Sequence, residues 1–131
     1  MAKRIFDTSY LIRHWKTFPD PTKRTVENMR SWAEKFVALY GSRRIVTPVF
    51  IEMVAGANSS DELKLTYAYL DPFEIVDEGK IPKEDWDEAK RIAQRVPPNG
   101  RNRHLGDCLI RAIANRLKCD VLTLDGTFPG R

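Results

Sequence analysis

Four short apolar runs alternate with stretches of helical periodicity, and that alternation constrains the fold more than any other feature. The runs are Lys3–Phe6, Arg44–Thr47, Phe73–Val76 and Val121–Leu124. Helix-length segments separate them rather than two-residue turns. The strands therefore cannot join as hairpins, and parallel pairing through helical crossovers is expected. The expected fold class is α/β, with three α/β/α layers around a central, mostly parallel sheet of four strands, or five, in one domain over 1–131. At 131 residues the chain is long enough for one sizeable core.

The helices are marked by their ends. Asp7-Thr8-Ser9 leads into Tyr10-Leu11-Ile12, a helix that stops before Pro19 and Pro21. Thr22 or Thr25 caps a long helix with the apolar stripe Val26, Met29, Trp32, Ala33, Phe36, Val37 and Tyr40, ended by Gly41. Pro48 suits a first helical position, and its helix ends at Gly56. Ser59 or Ser60 caps a further helix through Tyr69. Pro82 opens another, with Trp86, Ala89, Ile92, Ala93 and Val96 inward. Pro97-Pro98-Asn99-Gly100 is a loop. Gly106–Lys118 is the last helix, burying Leu109, Ile110, Ile113, Ala114 and Leu117.

Four acidic residues sit where this framework would not place surface charge. Asp7 closes the first run, Glu52 interrupts Pro48–Gly56, Asp107 opens the last helix and Asp125 ends the fourth run. Carboxylates bordering core segments are costly unless paired with cations. In open α/β sheets ligands collect beyond the carboxyl ends of the strands, and all four acids are expected at that edge. Singly, each has a plainer explanation. Asp7 and Asp107 can be helix caps, Asp125-Gly126 a turn, and Glu52 the partner of a core arginine. Together they suit a hard divalent cation such as Mg²⁺, which takes carboxylate oxygens.

Net charge is +4, with a pI near 9.2, and the charge is uneven. Residues 1–50 carry ten Lys/Arg against four Asp/Glu, whereas residues 71–90 carry three against eight. Basic surface around an acidic pocket is what a phosphate-backbone substrate needs, although +4 alone can serve only solubility. The basic segment Arg101-Asn102-Arg103-His104 precedes Asp107 and is a candidate for phosphate-backbone contact through Arg101, Arg103 and His104, or else a solvated loop. Arg13, His14, Trp15 and Lys16 are a second, weaker candidate. Cys108 and Cys119 lie about 16 Å apart along a helix at 1.5 Å per residue, beyond disulfide reach. No apolar run suits a membrane span, the N-terminus does not read as a signal peptide, and a cytoplasmic protein is expected.

Four pieces carry a resemblance: Phe6-Asp7-Thr8-Ser9, Pro48-Val49-Phe50-Ile51-Glu52, Gly106-Asp107-Cys108-Leu109-Ile110-Arg111-Ala112, and Leu122-Thr123-Leu124-Asp125 followed by Phe128-Pro129. In this order they resemble the PIN-domain family of metal-dependent ribonucleases, and within it the VapC-type toxins of type II toxin–antitoxin systems. The resemblance implies a Mg²⁺- or Mn²⁺-dependent endoribonuclease, commonly a homodimer held by a cognate antitoxin. It carries Asp7, Glu52, Asp107 and Asp125 over as the catalytic, metal-holding pocket, with Thr8 and Thr123 as supporting hydroxyls. It also implies a further strand after Phe128-Pro129, whereas this sequence stops at Arg131. Trp15, Phe18 and Trp32, as exposed apolar residues of the first two helices, are the expected antitoxin groove, although Trp15 and Trp32 also have core spacing.

Two other readings compete. A receiver-type phosphoacceptor would need an acidic pair after the first strand and a late-strand lysine. Asp7 has no acidic neighbour, and Lys118 precedes its strand. A catalytically silent PIN-like module binding RNA or protein is the other, and the presence of all four acids argues against it. No Walker loop, nucleophile elbow or zinc-spaced Cys/His pattern occurs.

Overall fold

The computed structural model describes residues 3–95 and 104–130. Their order is β1 (Lys3–Phe6), α1 (Thr8–Lys16), a 3₁₀ turn (Pro21–Lys23), α2 (Val26–Tyr40), β2 (Arg44–Ile45), α3 (Thr47–Ala55), α4 (Ser60–Leu70), β3 (Glu74–Ile75), α5 (Lys83–Ala93), α6 (Leu105–Leu117) and β4 (Cys119–Leu122). The four strands are all parallel in the order β3-β2-β1-β4, the α/β/α architecture expected from the alternation. Ile5 lies opposite Arg44 on one side and Val121 on the other. The chain therefore leaves β1 towards β2 and returns on the far side as β4. Such a reversal opens a crevice at the carboxyl ends of the strands.

Local chemistry fixes the helix ends that aim the site. Thr25 Oγ1 accepts from Asn28 N at 3.1 Å, and Ser59 Oγ accepts from Glu62 N at 3.1 Å. Gly41 ends α2 in the left-handed region, at φ 68°, where a side chain would be strained. The N-cap of α3 is Val46, which has no side-chain acceptor. Asp77, just past β3, supplies one instead: its Oδ1 accepts from Thr47 N at 2.9 Å and from Thr47 Oγ1 at 3.0 Å.

Ile5, Phe6, Leu11, Ile45, Ile110 and Ile113 are fully buried around the sheet. Helix α2 packs on α4 and α5 on α6, while α3 touches α1, α4 and α6. Cys108 and Cys119 are buried and unbridged, as expected.

Several expectations need correction. The last strand lies two residues earlier than Val121–Leu124, because Lys118 takes a left-handed conformation and turns the chain straight out of α6 into Cys119. Strand β2 stops at Ile45 because Val46 and Thr47 are already the start of α3. Trp86 points outward, 43% exposed, and Ala93 is exposed too; Val96 lies outside the described residues. The inward face of α5 instead carries Asp85, 1% exposed, whose two oxygens accept from Arg116 Nε at 2.8 and 3.0 Å. That pairing makes an acidic residue acceptable in the face between α5 and α6.

Trp15, Phe18 and Trp32 are not an open groove. They are half-buried and packed against the core. Trp32 stacks on His14, meets Phe18 edge-on, and donates its indole N–H to His14 O at 2.9 Å. His14 Nδ1 in turn lies 2.7 Å from the Tyr69 hydroxyl. Burial lowers the His14 pKa to about 4, so His14 is a neutral packing residue near pH 7 rather than an RNA contact.

Candidate functional site

Asp7 follows the last residue of β1 and is 4% exposed. It occupies the N-cap position of α1, yet its carboxylate caps nothing. Its Oδ2 instead accepts from Thr123 Oγ1 at 2.8 Å and from Ser9 Oγ at 3.0 Å. Both hydroxyls are oriented from behind. Ser9 Oγ accepts from Leu124 N and Thr123 Oγ1 from Asp125 N, each at 3.0 Å. With both protons committed to Asp7, the 3.4 Å approach between the two hydroxyls is a contact between acceptors. This lattice stitches the exit of β4 to the exit of β1, and it takes Thr123 out of the β ladder.

Asp107 is the third residue of α6, not its cap; that position belongs to His104. Burial first, then the charges of Asp7 and Asp125, push its pKa from the ordinary 3.8 up to about 6, with His104 opposing. Glu52 lies on α3, exposed at the rim. Its pKa is also raised, by burial, then by Asp7 and Asp107, against an opposing pull from Thr8 and His104. Among the described residues no lysine or arginine contributes to either shift, and Glu52 enters no ion pair. The core-arginine explanation for Glu52 therefore fails, as do the capping explanations for Asp7 and Asp107. Asp125 fits the turn explanation in part, because its Oδ1 accepts from Thr127 N and Thr127 Oγ1. It nevertheless remains close enough to raise Asp107.

The structure thus brings Asp7, Glu52, Asp107, Asp125, Thr8 and Thr123 to one end of the sheet. Arg101 and Arg103 lie outside the described residues. His104 is exposed at the start of α6, beside the acids. Two further contributors escaped sequence reasoning. Ser9 does as much for Asp7 as Thr123 does, and its only sequence signal is the Asp-x-Ser spacing. Gly106 lets Glu52 approach α6: a Cβ there would stand 3.0 Å from Glu52 Oε1. A glycine directly before Asp107 was the available hint.

The donor set is all oxygen, which is the chemistry of Mg²⁺ or Mn²⁺ sites. The Thr8 hydroxyl adds a buried oxygen near Glu52 that falls short of hydrogen-bond geometry with any described partner. The residues fit a divalent cation in kind and in charge. As they stand, no three His, Cys, Asp or Glu side chains among the described residues converge on one point. Mutual repulsion between unneutralised carboxylates favours that spread arrangement.

The PIN domain family matches residues 4–130, and the chain belongs to that family. PIN domains are commonly nucleases, generally use divalent metals, and point to RNA as the bound species. No curated protein matches the chain. No helix among the described residues is long and apolar enough to cross a membrane.

Proposed function

We propose that the chain is a divalent-metal-dependent endoribonuclease, a single PIN-like domain over 1–131 acting as the cytoplasmic toxin of a toxin–antitoxin pair. The observation that carries the nuclease reading is the gathering of carboxylates at one sheet end, where Glu52 and Asp107 have raised pKa values with no lysine or arginine among the described residues acting on them. Such a cluster is destabilising by itself, and it persists where binding or chemistry requires it. A Mg²⁺ or Mn²⁺ ion bound there would neutralise phosphate charge and activate water. Asp7 and Asp107 would hold it, being fixed by a strand end and a helix start, with Asp125 acting directly or through water. Glu52, at the rim and with a raised pKa, is suited to orient the attacking water and accept its proton. Thr123 supports Asp7 through its hydroxyl, and Thr8 would support Glu52 or the bound ion from its buried position beside them.

The test is incubation of purified protein with total RNA, with Mg²⁺ or Mn²⁺ and with chelator, beside Asp107→Asn. Cleavage by the parent alone, and only with metal, is expected. Equal degradation by both proteins, or cutting in chelator, would sink the proposal. The spread arrangement of the carboxylates favours the competing reading, a silent RNA-binding module. Calorimetry that finds no Mg²⁺ binding sensitive to Asp7→Asn would decide for that module.

A homodimer and an antitoxin belong to the toxin reading. Supporting them is an apolar cleft of about 700 Å³ beside Glu52 and Asp107, lined by Pro48, Ile81, Trp86 and the strongly exposed Ile51 (57%) and Leu105 (72%). Exposed apolar surface of this kind commonly marks a protein contact. Expression of the chain alone should arrest growth, and Asp107→Asn should not.

A further inference from the structure

A second cavity, of about 310 Å³, opens between α1, α3 and α4 and has Glu52 in its wall. It therefore borders the acid cluster on a different side from the apolar cleft. Its other charged lining residues are Lys16, Arg24 and Glu62. Lys16 lies in the last turn of α1 and is exposed. Arg24 is held rigidly against the end of the same helix. Its Nη2 donates to Trp15 O at 3.1 Å, and its guanidinium lies 5.2 Å from the Trp15 ring centroid and 5.9 Å from that of Phe18.

Neither cation forms an ion pair with any described residue, although Glu62 lines the same cavity. A guanidinium that is partly desolvated and stacked on aromatic rings, yet has no carboxylate, is costly in the free protein. It is preorganised for an anion that arrives with the substrate. A held arginine and an exposed lysine lining one cavity supply the positive charge that tracks a single-stranded backbone.

We infer that this cavity is a phosphate subsite, in which Arg24 and Lys16 hold the backbone of single-stranded RNA next to the phosphate that is cut. The inference rests on the nuclease reading and adds the substrate's path across the surface. The described lining of the apolar cleft, by contrast, holds no lysine or arginine.

The test uses full-length protein carrying Asp107→Asn to prevent cutting, and a labelled single-stranded RNA in anisotropy titrations across a salt series. Lys16→Gln and Arg24→Gln are compared with this parent. Each lost phosphate contact should flatten the plot of log affinity against log salt by about 0.7. Affinity at low salt should fall about fivefold or more. Arg24→Gln also disturbs the packing of Trp15 and Phe18, so exposed Lys16 provides the variant that leaves the fold alone. Unchanged slope and affinity for Lys16→Gln, or for a folded Arg24→Gln, would overturn the subsite while leaving the nuclease reading intact. Failure of the parent to bind RNA at all would overturn both.

Discussion

Replacing Asp107 with Asn should stabilise the metal-free protein at neutral pH, although it removes a group proposed to serve the reaction. The native pKa of Asp107 is about 6 against an ordinary 3.8. At 1.36 kcal/mol per pKa unit the difference corresponds to about 3 kcal/mol, and solvent screening at this half-buried position reduces it to about 1–2. The sign follows from proton linkage. The native carboxyl holds its proton more tightly than the unfolded one, so between pH 3.8 and 6 the native state binds more protons and stability falls as pH rises. Above pH 6 the penalty is fully present, and below about 3.8 it is absent. Asn never carries the charge. In EDTA at pH 7.5 the variant should melt roughly 4–8 °C above the parent, and the gain should shrink through pH 6 and vanish near pH 4. Saturating Mg²⁺ should narrow the gap by stabilising only the parent. Scanning calorimetry at these pH values provides the check. A variant that melts at or below the parent at pH 7.5, or a gain independent of pH, would refute the electrostatic account.

Three further outcomes follow from the contacts. Gly106→Ala places a Cβ against Glu52 Oε1 and should lower RNA cleavage about tenfold while leaving the melting temperature within a few degrees, because only a rim side chain must move. Ser9→Ala deletes a donor to Asp7 and an acceptor from Leu124 N, which should cost about 1–2 kcal/mol in urea unfolding. Loss of activity with no loss of stability would show that Ser9 is not structural. Arg116→Ala leaves Asp85 buried and unpaired, and should cost about 2–3 kcal/mol in the same assay without touching metal binding.

The fold was legible because strand and helix periods alternate without ambiguity and the caps Thr25, Gly41 and Ser59 have strong local signals. Strand ends were less legible. The left-handed turn at Lys118 has no sequence mark, since lysine is not a residue expected there. The positions of Asp7, Glu52, Asp107 and Asp125 could be inferred because topology brings strand ends together whatever lies between. What periodicity does not encode is which polar residue meets which. Asp85 is one of eight acidic residues between positions 71 and 90, and nothing local marks it as the one that Arg116, far along the chain, reaches. Trp86 reads as core because aromatic character outweighs a one-position rotation of the helix. Phe18 reads as surface, and Trp15 and Trp32 read either way, because their ring-on-ring packing is tertiary.

The carboxylate of Asp77 ties the helix bearing Glu52 to the margin of the sheet, where β3 is only two residues long. Insertions or deletions between Val76 and Pro82 would therefore propagate to the acid pocket as a change in the pitch of α3. Surface loops usually absorb such edits without effect. This one is a tether, and the aim of Glu52 is governed from a segment some twenty-five residues downstream.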